Sequence, residues 1–332
     1  MKLYGSPMAA LALPLVLGSF ALSGCGGGCK KTHSSGKLEI VTTIFPVYEL
    51  ARRVAGTDAM VSLLVPPNQN EHHFDPTPKE VELVAHAKLG IMVGLGLDTW
   101  MEKLIKEAAP TAHTLVLGSH VKTRVLADEN VGEEEAEEAE HAGEKGGDGG
   151  ALHHEEHEHE HHAGAPDPHV WLDPTRAKTM VEAIEAELVA IDPAHADGYH
   201  TRAKEFRSSL DTVDQTTKDA TSKWSRKGFV TFHGSFGYFA EHYGLKILAV
   251  IEPFPGSNPS APYVEKVLSV IKEKKVPALF REPQLDPKPA EVLANAAKIQ
   301  LGVLDPVGGS ADTDTYEKLI QFNVRALGAV LQ

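Results

Sequence analysis

Cysteine is almost missing from this chain. The two that occur, Cys25 and Cys29, both precede the first stretch that reads as folded structure. No disulfide can therefore staple a domain, and no thiolate metal site is available inside one. Long apolar runs are missing too: residues 8–22 are shorter than a membrane-spanning helix requires. Nor is there a basic stripe that could track a phosphate backbone, which excludes a nucleic-acid partner. The formal net charge of −14 has the opposite sign, and it is concentrated. Residues 129–165 carry thirteen Asp or Glu against one Lys, which leaves the remainder close to neutral. The acidity belongs to one segment and says nothing about the core.

What is present begins at the amino terminus. Lys2, an apolar stretch from Met8 to Leu22 and small residues after it follow the order of a secretory signal. Leu22-Ser23-Gly24-Cys25 resembles a bacterial lipobox. It predicts cleavage before Cys25, acylation of that thiol, and an extracytoplasmic protein anchored to a membrane. The expected parts are a signal over 1–24 and a Gly-rich, polar tether over 25–37.

From Leu38 onward, short β-branched stretches alternate with amphipathic ones. Strands are expected at 38–44, 60–65, 89–93 and 113–117, with helices at 46–54, 78–87 and 98–108. Asp75-Pro76 and Asp173-Pro174 both read as helix caps. The second opens a helix over 174–191, which Asp192-Pro193 ends. His195 to Trp224 then keeps a helical pattern for a length of about 45 Å. Its outward positions are mostly charged, so it reads as a rod between two lobes. The alternation restarts with strands at 229–232, 247–251, 278–281 and 301–304 and helices at 236–243, 261–275, 288–298 and 314–331. Such a pattern means parallel sheets with helices on both faces. The fold class is α/β: two similar (β/α)4 lobes, 38–192 and 225–332, joined by one rigid helix over 193–224. Ligands of such sheets sit at the carboxyl ends of the strands. That puts a site in the cleft between the lobes.

Residues 122–165 interrupt the first lobe with Glu-, Gly- and His-rich sequence that cannot bury enough apolar surface to order itself. A disordered loop is expected. Its His153, His154, His157, His159, His161 and His162 can bind divalent metal weakly and in several arrangements. Two windows, 153–157 and 157–161, match zinc-protease patterns. Those patterns need a helix with an apolar face to hold the ligands. This composition supplies none, so a protease is rejected.

Chemistry-bearing residues cluster where strands end. Strand 60–65 runs into Pro66-Pro67-Asn68-Gln69-Asn70-Glu71-His72-His73-Phe74. In an extended segment His72 and His73 point opposite ways, so only one faces a cleft. His169 lies in Asp167-Pro168-His169-Val170-Trp171-Leu172-Asp173-Pro174, stiffened by two prolines. His233 ends an apolar strand, where burial without a partner costs about 2 kcal/mol or more. Asp305 ends the last strand, and Glu282 after strand 278–281 reads as a local hydrogen-bonding residue. Three imidazoles and a carboxylate suit Zn2+, which takes nitrogen and oxygen ligands at roughly 2.0–2.2 Å in tetrahedral geometry. Ca2+ and Mg2+ prefer all-oxygen shells. Mn2+ matches less well, because a third His stands where a second carboxylate would.

Four motifs in order complete the pattern: Pro67 to Pro78 around His72, the Asp167–Pro174 run, His233-Gly234-Ser235-Phe236-Gly237-Tyr238-Phe239, and Phe280-Arg281-Glu282-Pro283-Gln284. Together they resemble the metal-binding solute receptors of bacterial ABC importers, specifically the high-affinity zinc-uptake type. The resemblance runs from about Ile40 to Gln332. It implies two lobes on one rigid helix, Zn2+ carried as cargo, and a permease with its ATPase as partners. The implied ligands are His72, His169 and His233. Asp305 stands where some members supply a carboxylate, and Glu71 is an alternative fourth ligand. The His-rich loop would collect or sense zinc. A monomer without enzymatic activity is expected. A zinc hydrolase on the same histidines would need an open coordination position and a base, which a fourth protein ligand removes. An adhesin is the third class, and no residue marks an adhesive surface.

Overall fold

The computed structural model describes residues 36–126, 165–252 and 259–332. The expected signal, Cys25 and the loop histidines His153 to His162 lie outside the described residues. Two parallel sheets organise the rest. In the first, β1 (Leu38–Thr42), β2 (Ala59–Leu63), β3 (Leu89–Met92) and β4 (His113–Val116) lie in the order β2-β1-β3-β4. In the second, β5 (Gly228–Thr231), β6 (Lys246–Val250), β7 (Ala278–Arg281) and β8 (Gln300–Val303) repeat it as β6-β5-β7-β8. Every pairing within these two sheets is parallel. In β1, Ile40, Val41 and Thr42 are buried in succession, as a strand covered on both faces requires.

The helices are α1 (Phe45–Ala55), α2 (Pro78–His86), α3 (Thr99–Ala108), α4 (Pro174–Ile191), α5 (Ala196–Thr221), α6 (Gly237–His242), α7 (Ala261–Glu273), α8 (Lys288–Ala297) and α9 (Tyr316–Leu331). Asp173 is the N-cap of α4, accepting from the Thr175 amide, with Pro174 in the first turn. The cap of α2 differs from the expected Asp75-Pro76. Thr77 takes that position, closing a capping box with Glu80, while Pro78 starts the helix. A reciprocal pair of bonds satisfies two amides at once, which Asp75 could not match.

The connecting helix α5 is 26 residues long, about 39 Å. It is shorter than the expected 195–224 because Pro193–His195 forms a separate 3-10 turn and Trp224 N–H bonds back to Thr221. Its buried side chains, Tyr199, Ala203, Phe206, Leu210, Val213, Thr217 and Thr221, fall on one stripe at helical spacing. That stripe joins a hydrophobic core running from Ile40 and Leu50 of the first sheet region to Phe229, Phe280 and Tyr316 of the second. Two smaller clusters fill the outer faces of the sheets, one around Val230 and Leu279 and one around Val41 and Met101. The halves are therefore alike in topology and share a packed centre. Residues 37–332 form one compact unit. Buried hydrogen bonds cross the seam as well: Trp171 Nε1 donates to Pro306 O at 2.7 Å, and Tyr316 OH donates to Trp171 O at 2.6 Å. Among the described residues no helix is long and apolar enough to cross a membrane.

Candidate metal centre

Each sheet has a crevice where its strand order reverses, between β1 and β3 and between β5 and β7. The two are used differently. In the first, Asp98 closes the crevice by accepting from Thr43 Oγ1 and from the amides of Val93 and Gly94. In the second, His233 follows β5 and Glu282 follows β7 across the gap. The first half supplies its donors from longer segments beyond the sheet. Glu71 and His72 lie in the loop after β2, where Asn68 takes a left-handed conformation and Asn70 Oδ1 accepts the His72 amide at 2.9 Å. His169 caps a 3-10 turn over Val170–Leu172, just ahead of α4.

One donor atom each from Glu71, His72, His169 and His233 lie within 4.8 Å of one another, and all four residues are buried. Three of them precede α5 and His233 alone follows it, whereas His72, His169, His233 and Asp305, the set expected first from the sequence, would divide two and two. The Nε2 atoms of the histidines form a triangle: His72 to His233 3.4 Å, His72 to His169 3.4 Å, His169 to His233 3.1 Å. Ligands at 2.0–2.1 Å from a tetrahedral zinc are separated by about 3.3–3.4 Å. The triangle has the dimensions of one tetrahedral face.

Carboxylates hold two of the rings from behind. Asp167 Oδ1 lies 2.8 Å from His169 Nδ1 and also accepts the His169 amide at 3.0 Å. Glu282 Oε2 lies 2.7 Å from His233 Nδ1. A carboxylate beside Nδ1 favours the tautomer that carries its proton there and leaves the Nε2 lone pair facing inward, the arrangement that orients and strengthens a ligating imidazole. Two such lone pairs 3.1 Å apart repel unless a cation or proton lies between them. Glu282 also accepts from Ser235 Oγ at 3.3 Å, so the His-Gly-Ser sequence after β5 serves the same node.

The electrostatics follow. Burial lowers the His169 imidazole below its ordinary value, offset only in part by Asp167. Burial also pulls His233 down, but Glu282, Glu71 and Asp167 outweigh it and raise the group overall. Burial pushes the Glu71 carboxyl up to about 7, against the pull of His233 and with repulsion from Glu282 and Asp305. Glu71, pushed up to about 7, and the raised His233 favour protons on the metal-free cluster, and a dication entering it displaces them.

The structure brings together three of the four expected residues, His72, His169 and His233. His73 is exposed. Asp305 is not among the converging donors, and Glu71 stands there instead. The Asp305 carboxylate is occupied: Oδ1 accepts from Gln284 Nε2 at 2.8 Å and the amides of Val307 and Gly308 at 3.1 and 2.8 Å, and Oδ2 accepts from Thr313 Oγ1 at 3.0 Å. It folds the segment after β8, whose Gly309, at positive φ, lies against Pro67 and Phe45. Sequence reasoning left unassigned the orienting role of Asp167, although it opens the densest motif.

In sequence and fold the chain is similar to known proteins. The family model for the periplasmic zinc-uptake complex component A, ZnuA, matches residues 40–330. The zinc-binding protein AdcA of Streptococcus pyogenes is 30% identical over 289 residues, covering 86% of this chain and 53% of the relative. This chain thus spans about half the length of the AdcA relatives it matches. The high-affinity zinc uptake system protein ZnuA of Bacillus subtilis is 30% identical over 291 residues, covering 87% of this chain and 85% of the relative. A crystal structure of ZnuA superposes with a TM-score of 0.74 at 22% identity, over 89% of this chain and 100% of the other, which shows the fold.

Proposed function

The chain belongs to the periplasmic zinc-uptake component A family, and from that premise we propose that it captures Zn2+ outside the cytoplasm and delivers it to the permease of an ABC importer. The observation that carries the reading is the triangle of Nε2 atoms with edges of 3.1–3.4 Å. Glu71 is the fourth ligand and the only anionic one. Asp167 and Glu282, which touch ring nitrogens and not the ion, offset the remaining positive charge. Three imidazoles with one carboxylate favour zinc over manganese, which prefers more oxygen donors. Four protein ligands close the coordination sphere, so the ion is held as cargo and no position is left for a reacting water.

The parts of the chain divide the work. Cys25 carries the lipid that keeps the receptor at a membrane, and the permease acts with its ATPase. Residues 38–192 and 225–332 are the two lobes, and 193–224 joins them. Because the lobes share one packed core, binding and release proceed through small lobe and loop movements rather than wide hinge closure. The loop bearing Glu71 and His72 is the part that yields on release. The His-rich segment, with His153, His154, His157, His159, His161 and His162, gathers zinc at lower affinity.

The test uses the chain from Thr32 onward with residues 129–165 deleted, titrated with zinc against a competing chelator and repeated with His233→Ala. One tight site, lost in the variant, is expected. Tight binding unchanged by His233→Ala would overturn the ligand set. No tight site without the segment would assign capture to the histidine run.

A further inference from the structure

Arg124 follows β4 and its short 3-10 turn, and its guanidinium turns inward. Nη1 is 2.8 Å from Asp167 Oδ2, while the other oxygen of that carboxylate serves His169. The Asp167 side chain has no solvent exposure. A buried carboxylate without a counter-charge is costly, and the Arg124 guanidinium supplies that charge beside Asp167. The partners are locked by a closed ring of bonds. The Arg124 amide donates to Tyr238 OH at 3.0 Å, Tyr238 OH donates to Asp167 O at 2.8 Å, and the Asp167 amide donates to Arg124 O at 2.9 Å. Arg124 Nε also lies 3.5 Å from Glu241.

Gly237 supplies the second, independent observation. Its φ of −58° is helical, so nothing in its backbone asks for glycine. A Cβ there would fall 1.7 Å from Arg124 Nη1 and 2.8 Å from Asp167 Oδ2. The missing side chain is the space that the Arg124–Asp167 pair occupies. Tyr238 and Gly237 begin α6 of the second half, whereas Arg124, Asp167 and His169 precede α5.

Resting on the zinc-site reading above, we propose that Arg124 is a positioning residue for zinc: acting through Asp167 it fixes the aim and donor strength of His169, and Gly237 keeps the space it needs. A contact from the second half thereby controls a ligand of the first. Removing the guanidinium leaves Asp167 free to turn away from His169 Nδ1, and the ring loses its fixed tautomer.

The experiment measures zinc affinity by chelator competition for the mature chain and for Arg124→Met, Arg124→Lys, Gly237→Ala, Asp167→Asn and His169→Ala. The doubles Arg124→Met/Gly237→Ala and Arg124→Met/Asp167→Asn complete two cycles. Melting of the metal-free forms and the visible spectrum of the Co2+-loaded forms accompany each. Arg124→Met is expected to weaken zinc binding about tenfold or more, the scale for losing support to a ligating imidazole, and to shift the Co2+ bands. Arg124→Lys, which keeps the charge without the planar fork, recovers part of the loss. Gly237→Ala reproduces the Arg124→Met defect without touching a ligand, and the double is no weaker than either single. Because the clash is with the far end of a flexible side chain, Gly237→Ala carries the test if Arg124→Met does not fold. Affinity within twofold of wild type for Arg124→Met would overturn the proposal. So would an equal loss when Asp167 is already Asn, or lowered melting with an unchanged Co2+ spectrum. His169→Ala separates the two readings: if it keeps wild-type affinity the zinc site itself is wrong, and if it alone loses the site only the role of Arg124 fails.

Discussion

Glu71→Gln should flatten the pH dependence of zinc affinity. The carboxyl of Glu71 is pushed up to about 7 by burial, so below that pH the metal-free protein holds a proton that zinc must displace. Each pH unit below the pKa costs about 1.4 kcal/mol, or tenfold. At pH 5.5 the displaced proton costs about 2 kcal/mol, roughly 30-fold in affinity. The sign is fixed: this part of the affinity is fully present above pH 7 and is lost as pH falls. Glutamine binds no proton in this range, so its curve omits the loss. Glu71 also helps to raise His233, and removing it lowers the proton affinity of that ring too. The two changes have the same sign. Between pH 8 and 5.5 the wild-type protein should therefore lose at least about 30-fold more affinity than the variant, although the variant binds more weakly at pH 8. Both retain a fall from protonation of the histidines. Competition against a chelator corrected for its own protonation reads this directly. Parallel curves for the two proteins would refute the placement of Glu71 in the coordination sphere.

Two further substitutions separate neighbouring carboxylates by role. Glu282→Gln keeps the shape behind His233 but removes the charge on its Nδ1 partner, and should weaken zinc binding about 10–100-fold; chelator competition at pH 7.5 checks it, and unchanged affinity would mean that His233 needs no such support. Asp305→Ala orphans the amides of Val307 and Gly308 and the Gln284 side chain. At about 1–3 kcal/mol for each buried group left unpaired, denaturant unfolding should show a loss of about 3 kcal/mol or more while zinc affinity changes little. The reverse pattern, intact stability with lost affinity, would return Asp305 to the ligand set.

The alternation of strands and helices was legible because each element carries its own period. The runs around Ile40 and Leu279 are apolar on consecutive positions, as two-sided burial demands, and α5 shows its stripe from Tyr199 to Thr221. Element ends were less legible. The α2 cap fell to Thr77 because Glu80 could answer it, a competition between local hydrogen bonds that pattern alone does not rank. The rod was legible as a helix, but its stripe does more than span a gap. It is packed into a core common to both halves.

The site divides along the same line. His72, His169 and His233 could be named from the sequence, since prolines, strand ends and flanking motifs are local features. The same holds for the family resemblance those motifs carry. Which carboxylate joins them could not, because Glu71 and Asp305 are both acidic residues beyond a strand and differ only in what surrounds them. Tertiary packing gave the Asp305 oxygens four donors and left Glu71 facing the imidazoles. The convergence of the rings joins residues 64, 97 and 161 positions apart. The support of His169 by Arg124 in the space left by Gly237 spans a comparable distance in the chain. Periodicity and turn chemistry act over a few residues, so they specify elements and candidate donors. Distances of an ångström between remote side chains are set only when the core closes around them.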